Sequence, residues 1–231
     1  MTDKDFLEQY DSSVYEKPSV AVDLLMFTIK DDRLKILLTK RDQRPFIDMP
    51  ALPGVFVGMT ETLDDAARRG ARDKAGISDV YFEQLYTWSD IDRDPRMRII
   101  SVSYISVTNA DRLGNMSENS SLYDVEDILS DDTVLAFDHK RMIEYGRERI
   151  RNKVEYSDIA FEFIPDKFTL PQLQRVYEIL LGKKLYKANF RKQISDRISE
   201  TDEMITGNAH RPSRVYTKKH ENESTEHEEK E

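Results

Sequence analysis

Apolar residues in the first half of the chain fall into four runs of strand length. The runs are rich in aliphatic and aromatic residues and span 19–29, 34–40, 80–88 and 98–107. Short blocks of this composition are typical of β-strands that are buried on at least one face. Only the polar residues KDDR separate the first two runs, so the pattern predicts a hairpin.

Helical spacing of apolar residues appears between and after these runs. An apolar stripe predicts a helix over residues 62–75, which Thr60 or Thr62 would cap and Gly76 would end. Shorter patches with helical spacing lie at 124–129 and 138–151. Strands and helices mixed over about 150 residues favour an α+β domain with a mixed sheet.

The remaining segments of this half are predicted to be irregular. Residues 1–17 are polar and aperiodic, which indicates a loosely held arm. Residues 50–58 (PALPGVFVG) contain two prolines and two glycines and predict a loop that leads into a short strand. Residues 108–121 are rich in Asn, Ser and Gly, and we expect an exposed loop there.

The pattern changes after Phe168. One helix is predicted from the Thr169 cap to Gly182, and a second carries Tyr186, Phe190, Ile194 and Ile198 at four-residue intervals. The other face of the second helix is basic, with Lys187, Arg191, Lys192 and Arg197. Strand-like runs at 203–206 and 214–218 follow, on either side of GNAHRPS. A helix, a turn, a basic helix and a basic hairpin outline a winged helix-turn-helix, although the same charges could simply solvate a helical hairpin.

The distribution of charge also changes near residue 167. The net charge is −9 overall, but it is −11 over residues 1–166, +7 over 167–219 and −5 over 220–231. A basic segment behind an acidic body is a candidate for nucleic-acid binding. The last twelve residues cannot bury enough apolar surface to fold, and we expect them to be disordered.

Composition narrows the class of protein further. The chain has no cysteine, which excludes disulfides and thiolate zinc sites. No apolar run approaches the ~18–20 residues of a membrane span, and the N-terminus lacks the apolar core of a secretory signal. We therefore expect a cytoplasmic protein without a membrane partner.

Residues 54–77 carry a motif with chemical meaning. The stretch GVFVGMTETLDDAARRGARDKAGI resembles the Nudix box, which runs Gly, five residues, Glu, seven residues, then Arg-Glu-apolar-x-Glu-Glu-x-Gly-apolar. Its matching positions are Glu61, Arg69, Gly76 and Ile77, while Val55 replaces the first glycine. Glu61 and Arg69 resemble the structural ion pair of the box.

The metal-binding half of the box is degenerate. Three glutamates of Nudix hydrolases, which hold Mg²⁺ or Mn²⁺ against a pyrophosphate, correspond here to Gly70, Asp73 and Lys74. These positions share one helix face, and a hard divalent cation needs several oxygen ligands. One carboxylate and one ammonium do not supply them, so we predict no catalytic residues, no metal and no cofactor. Mg²⁺ or Mn²⁺ would be needed only if residual hydrolase activity remained.

The resemblance extends beyond the box to a family of regulators. Residues 92–107 are similar to a loop and strand that line the ligand cleft of ADP-ribose-type Nudix proteins, and 135–139 to another recurrent segment of these proteins. Residues 168–194 resemble the winged helix of Nudix-related transcriptional regulators. The resemblance implies a Nudix α/β/α sandwich with a mixed sheet, followed by a winged helix-turn-helix. It also implies an effector, either ADP-ribose or a sugar, and operator DNA bound by a homodimer.

The resemblance leads to specific site residues. We expect Arg93, Asp94 and Arg96 to bind the ligand, since the planar fork of arginine suits phosphate; the alternative is a surface turn held by Asp–Arg pairs. The expected DNA-binding residues are Lys187, Asn189, Arg191, Lys192, Arg211 and Arg214. We divide the chain into an arm (1–17), a Nudix-like effector-sensing domain (18–155), a winged helix domain (156–219) and an acidic tail (220–231).

Three functions follow from these features. The leading hypothesis is a metabolite-responsive transcriptional regulator. The second is a divergent Nudix hydrolase that cleaves ADP-ribose with a divalent metal, and the third is a protein-binding module without catalysis. The sequence leaves the operator, the effector and the sign of regulation open.

Overall fold

The computed structural model describes residues 2–76, 81–114, 116–130, 133–205 and 212–219. Its strands are β1 (Ser19–Lys30), β2 (Arg33–Lys40), β3 (Pro50–Ala51), β4 (Gly54–Phe56), β5 (Tyr81–Trp88), β6 (Ile99–Val107), β7 (Ser120–Asp124), β8 (Lys167–Thr169), β9 (Ile198–Ile205) and β10 (Ser213–Lys218). Its helices are α1 (Asp3–Gln9), α2 (Leu63–Ala75), α3 (Val125–Leu129), α4 (His139–Lys153), α5 (Leu170–Leu181) and α6 (Lys187–Ile194). None of these helices is long and apolar enough to cross a membrane.

A mixed sheet of seven strands forms the first part of the described chain. Its main path is β3-β2-β1-β6-β5, while β4 pairs with β1 and β7 pairs with β2. β1 runs antiparallel to β2 and β4 but parallel to β6. The predicted hairpin and the mixed sheet are therefore confirmed.

Helices cover both faces of this sheet because β1 and its neighbours are apolar on both sides. Alternate side chains of β1 point in opposite directions. Leu24 packs with Ala67 and Ala71 of α2 on one face. Phe27 packs with Met142 of α4 on the other. The result is the α/β/α sandwich that the resemblance implied.

The winged helix follows directly and shares an apolar core with the sandwich. A second sheet, β8-β10-β9, packs with α5 and α6. Thr169 caps α5 through a reciprocal pair of hydrogen bonds with Gln172, and Gly182 ends it at φ +67°, a conformation that glycine adopts without strain. One continuous cluster of buried side chains runs from Leu25 of β1 to Phe190 of α6.

Some sequence predictions need correction. The helix predicted through Ile198 ends at Ile194, because residues 195–197 form a 3₁₀ turn and Ile198 begins β9. Residues 3–9 form a capped helix within the predicted arm. Part of the predicted exposed loop is buried, since Thr108 and Asn109 are less than a tenth exposed. Arg211, Ile77 and the acidic tail lie outside the described residues.

Gly146 sets how closely α4 approaches the sheet. A Cβ added there would lie 2.5 Å from Leu25 Cδ2 and 3.2 Å from the Phe27 ring, and both side chains are fully buried. Alanine favours a helix by about 1 kcal/mol over glycine, but overpacking a core costs about 1–3 kcal/mol. We therefore expect Gly146→Ala to lower the free energy of unfolding by about 1 kcal/mol in denaturant titrations.

The exposed Glu144 on the same helix provides a control. Glu144→Ala should leave stability within about 0.5 kcal/mol of wild type. If Gly146→Ala were as stable as this control or more so, the close packing of α4 on β1 would be contradicted.

Candidate functional site

A charged cleft of about 450 Å³ opens at the β4 end of the large sheet. The box strand β4, the residues after β2, the loop before β6 and the start of α4 all contribute to its wall. Five cationic side chains line it: Lys40, Arg41, Lys74, Arg93 and Arg96. The acidic side chains are Asp23, Asp42 and Asp94. The excess of positive charge suits an anionic ligand.

The predicted residues Arg93, Asp94 and Arg96 all line this cleft, and they also form ion pairs. Arg96 makes a two-pronged pair with Asp94, at 3.0 and 2.7 Å. This pair lowers the pKa of Asp94 even though burial opposes the shift. The Asp–Arg pair that the alternative interpretation expected is therefore present. The paired residues also line the cleft, so the pairing does not conflict with a ligand site there.

Arg93 lies deeper and holds the start of α4. Its guanidinium donates to both carboxylate oxygens of Asp138, at 3.1 and 2.8 Å, and approaches Asp23 Oδ2 at 3.4 Å. Its side chain is 5% exposed. Asp23 also accepts a 2.5 Å hydrogen bond from Ser101 Oγ. A buried charge network therefore connects β1 and β6 to the first turn of α4.

An aromatic ring forms another part of the wall. The Arg41 guanidinium carbon lies 4.7 Å from the centre of the Phe137 ring, and that of Arg96 lies 5.7 Å away. Phe46 packs edge-on against the same ring at 4.9 Å. Phe137 has φ +54°, which is unfavourable for a bulky residue and indicates local strain. Such strain is common at ligand sites, where the surroundings maintain it.

His139 lies between the cleft and the core. Its Nδ1 accepts a 2.9 Å hydrogen bond from the Leu52 backbone, so Nε2 carries the proton of the neutral ring and faces Asp23 Oδ1 at 3.8 Å. Burial lowers the pKa of His139, and the nearby carboxylates only partly oppose this. The imidazole is therefore neutral at pH 7.

The box helix keeps its scaffold and lacks its metal ligands. Arg69 forms a two-pronged ion pair with Glu61, at 2.6 and 3.1 Å, which lowers the pKa of Glu61 to about 2. Gly70 is buried against the sheet, whereas Asp73 is exposed and does not line the cleft. Among the described residues, no cluster of three or more His, Asp or Glu side chains could hold a metal ion. The donor set does not fit Mg²⁺ or Mn²⁺.

The basic residues predicted on the second helix of the winged domain form an exposed surface on α6. Lys187, Asn189, Arg191 and Lys192 are all exposed, while Phe190 and Ile194 are buried beneath them. Arg197 does not belong to this surface, because its guanidinium pairs with Asp158 and donates to the Tyr177 hydroxyl at 3.1 Å. A short basic helix presented in this way has the geometry of a recognition helix.

Glu178 fixes the turn that positions α6. Its carboxylate accepts hydrogen bonds from the Leu185 backbone at 3.0 Å, from Lys184 at 2.9 Å and from Gln174 at 3.1 Å. These donors lower the pKa of Glu178 to about 2. The turn between α5 and α6 is therefore held by one ionised side chain.

Of the two predicted wing residues, the structure describes only Arg214. Arg214 is half exposed on β10 and pairs with Glu200 on β9, so a phosphate would have to compete with that carboxylate. The sequence did not predict the roles of Arg41, Phe137 and Asp138 in the cleft, nor that of Glu178 in the turn. None belongs to a recognisable motif, although Phe137 and Asp138 lie within the segment 135–139 that resembled Nudix proteins.

Comparisons with known proteins agree with this architecture. A family model described as the NrtR DNA-binding winged helix domain matches residues 160–217. The ADPR-responsive transcriptional repressor NtrR of Acinetobacter baylyi is 35% identical over 219 residues, which cover 91% of this chain and 86% of that protein.

Two solved structures are also similar. NrtR of Shewanella oneidensis in complex with a 27mer DNA matches with a TM-score of 0.79 and 32% identity, covering 87% of this chain and 93% of that one. The Nudix domain of the same protein in complex with ADP-ribose matches with a TM-score of 0.57 and 31% identity, covering 64% of this chain and 99% of that one.

Fold and site together define a Nudix-related transcriptional regulator, in which a Nudix-type domain with a degenerate box precedes a winged helix. Because its similarity to the Acinetobacter repressor extends over nearly the whole length of both proteins, the chain belongs to the NrtR family of these regulators.

The neutral state of His139 predicts a specific pH dependence. The unfolded histidine takes up a proton near pH 6.5, but the folded one does so only at lower pH. The free energy of unfolding should therefore fall as the pH drops below about 6.5, by up to about 1.4 kcal/mol per pH unit from this group. In His139→Asn the amide oxygen can still accept from Leu52, so this part of the dependence should disappear. Parallel stability curves for the two proteins between pH 7 and 5 would contradict the assignment.

Proposed function

We propose that this chain is a transcriptional repressor that binds operator DNA through α6 and responds to ADP-ribose in the charged cleft. The observation that carries the proposal is the presence, in one chain, of an exposed basic helix in a winged domain and a cationic cleft for which the described residues offer no metal-ligand set. The repressor function of the Acinetobacter relative and the ligands of the Shewanella structures support it. Such a regulator would act in the cytoplasm.

The cleft has the chemistry to hold a dinucleotide-like anion. Arg93, Asp94 and Arg96 are its proposed ligand-binding residues, because guanidinium groups bind phosphate through two parallel hydrogen bonds. The ring of Phe137 offers an apolar surface beside them. A sugar without phosphate could not form ion pairs with the cationic side chains of the cleft. This favours ADP-ribose over a sugar as the effector.

Contacts between the cleft and the winged domain support coupling of the two proposed sites. α4 begins in the cleft, where Arg93 holds Asp138, and its second half faces α5. Arg151 of α4 and Arg175 of α5 line the same interdomain crevice. A ligand that binds the DNA-free form more tightly must weaken DNA binding by the same factor. In the proposed homodimer, the bound ligand would change the spacing of the two α6 helices.

Removing charge from α6 tests the DNA-binding part of the proposal. The DNA to use is a palindromic fragment, from upstream of the chain's own gene or of a neighbouring operon, that the wild type binds. In Arg191→Ala with Lys192→Ala, we expect binding to this fragment to be lost at about 0.15 M salt. At lower salt, the log–log salt dependence should become shallower by about two, since each phosphate contact contributes about one. Fluorescence anisotropy with labelled DNA measures both.

Arg68 and Arg72 on α2 provide a control with the same change in charge. Both are exposed and lie outside the winged domain. Arg68→Ala with Arg72→Ala should leave operator affinity within about twofold. If the α6 variant bound DNA as well as this control, the placement of the DNA interface would be wrong.

Ligand binding tests the sensing part. ADP-ribose at a hundred times its Kd should stabilise the protein by about 2.7 kcal/mol, which corresponds to a rise in Tm of about 5–10 °C, and should weaken operator binding. Arg96→Ala, which removes a half-exposed cation from the cleft, should reduce both effects without changing operator affinity in the absence of ligand.

Other outcomes would favour the remaining hypotheses. If a free sugar stabilised the protein and ADP-ribose did not, the effector would be a sugar. Brisk Mg²⁺-dependent cleavage of ADP-ribose that vanishes in Asp73→Ala would support the divergent hydrolase.

A further inference from the structure

The fold family implies a divalent cation in the cleft, and this chain does not offer the ligands for one. In a Nudix hydrolase, carboxylates on the box helix hold the metal that neutralises the diphosphate. A diphosphate carries at least two negative charges, so a cleft that binds it without a metal needs another source of positive charge close to the box helix.

Gly70, which replaces the first metal-binding glutamate of the box, packs tightly against the sheet. A Cβ at this position would lie 3.0 Å from Leu24 Cδ1 and 3.4 Å from both methyl groups of Val55. Leu24 is fully buried in the core between α2 and β1. The helix approaches the sheet closely here, so a side chain at position 70 would require Leu24 and Val55 to move by a few tenths of an ångström.

Lys74 lies one turn further along the same face and lines the cleft. Its backbone carbonyl accepts hydrogen bonds from the Ser117 backbone at 3.2 Å and from Ser120 Oγ at 3.2 Å, which fix the end of α2. Within the described ranges, its ammonium has no carboxylate partner. A cation in the last turn also interacts favourably with the helix dipole.

Most of the other cations of the cleft already have partners. Arg93 is paired with Asp138, and Arg96 with Asp94. Lys40 is paired with Asp48 at 2.7 Å. Arg41 donates to backbone carbonyls and stacks on Phe137. With respect to partners within the described ranges, the positive charge of Lys74 is therefore the most available to a ligand among these five.

We propose that the ammonium of Lys74 takes the place of the metal ion, so that the cleft binds the diphosphate of its effector without a divalent cation. This inference rests on the proposed function. Lysine is a compact point charge with three donors on a flexible stem, which suits a phosphate oxygen. The effector response would then be independent of the concentration of free Mg²⁺.

Calorimetric titration of the full-length protein with ADP-ribose tests this directly. For the wild type, we expect the same Kd, within about twofold, in EDTA and in about 5 mM Mg²⁺, because the cleft lacks the oxygen ligands that this cation needs. Lys74→Met should weaken binding about 10- to 100-fold under both conditions, as expected for the loss of a charge-assisted hydrogen bond. Lys74→Glu, which reverses the charge, should weaken binding further in EDTA.

Lys30 provides a matched control, since it is exposed at the far end of β1 and does not line the cleft. Lys30→Met should bind ADP-ribose as the wild type does, and melting curves verify that all variants are folded. Wild-type binding that falls tenfold or more in EDTA, or a folded Lys74→Met that binds normally, would overturn the role of Lys74 and leave the proposed function intact. Absence of ADP-ribose binding under both conditions would overturn both.

Discussion

The whole molecule depends on β1 being buried on both faces. This strand pairs with β2, β4 and β6, and its alternate side chains fill the two cores that hold α2 and α4 in place. A strand in this position has no polar side that could face water. Its one acidic residue, Asp23, is therefore compensated by Ser101, Arg93 and the nearby His139, and this compensation builds the floor of the cleft. The cleft therefore lies directly above Asp23, an acidic residue at the centre of the fold.

The charged side chains of the cleft fall into a buried group and a more exposed group, and the two groups have different roles. In the buried group, Arg93 and Asp138 form an ion pair. Forming such a pair costs desolvation free energy, and removing one partner would leave an uncompensated buried charge. The pair fixes geometry, above all the start of α4. In the more exposed group, Arg96 and Lys74 remain accessible to an anionic ligand. A metal site would have needed several carboxylates in that group, and those carboxylates would have repelled the anion whenever the metal was absent.

The apolar core connects the cleft region to the basic helix without interruption. Buried side chains continue from the large sheet through α4 and α5 to α6, with Tyr177 packed against Phe190 at 5.2 Å. Closely packed interiors transmit displacements because they have few voids to absorb them. The ion pair between Arg175 and Asp32, at 3.1 Å, adds a polar contact between the two domains. A shift at the start of α4 thus has a continuous route to the basic helix.

The sequence by itself determined most of the strands and helices, the degenerate box and the position of the basic helix. Apolar periodicity, caps such as Thr62 and Thr169, and the stop at Gly182 are local properties, and short segments encode them. Only the tertiary structure decided where the second winged helix ends, because Ile198 fits a helical pattern and a strand equally well until β10 pairs with it. It also decided the partners of Arg93 and Glu178 and placed Lys74 in the cleft. These contacts join residues that are distant along the chain or lie across a turn, and no local pattern encodes which charges will meet.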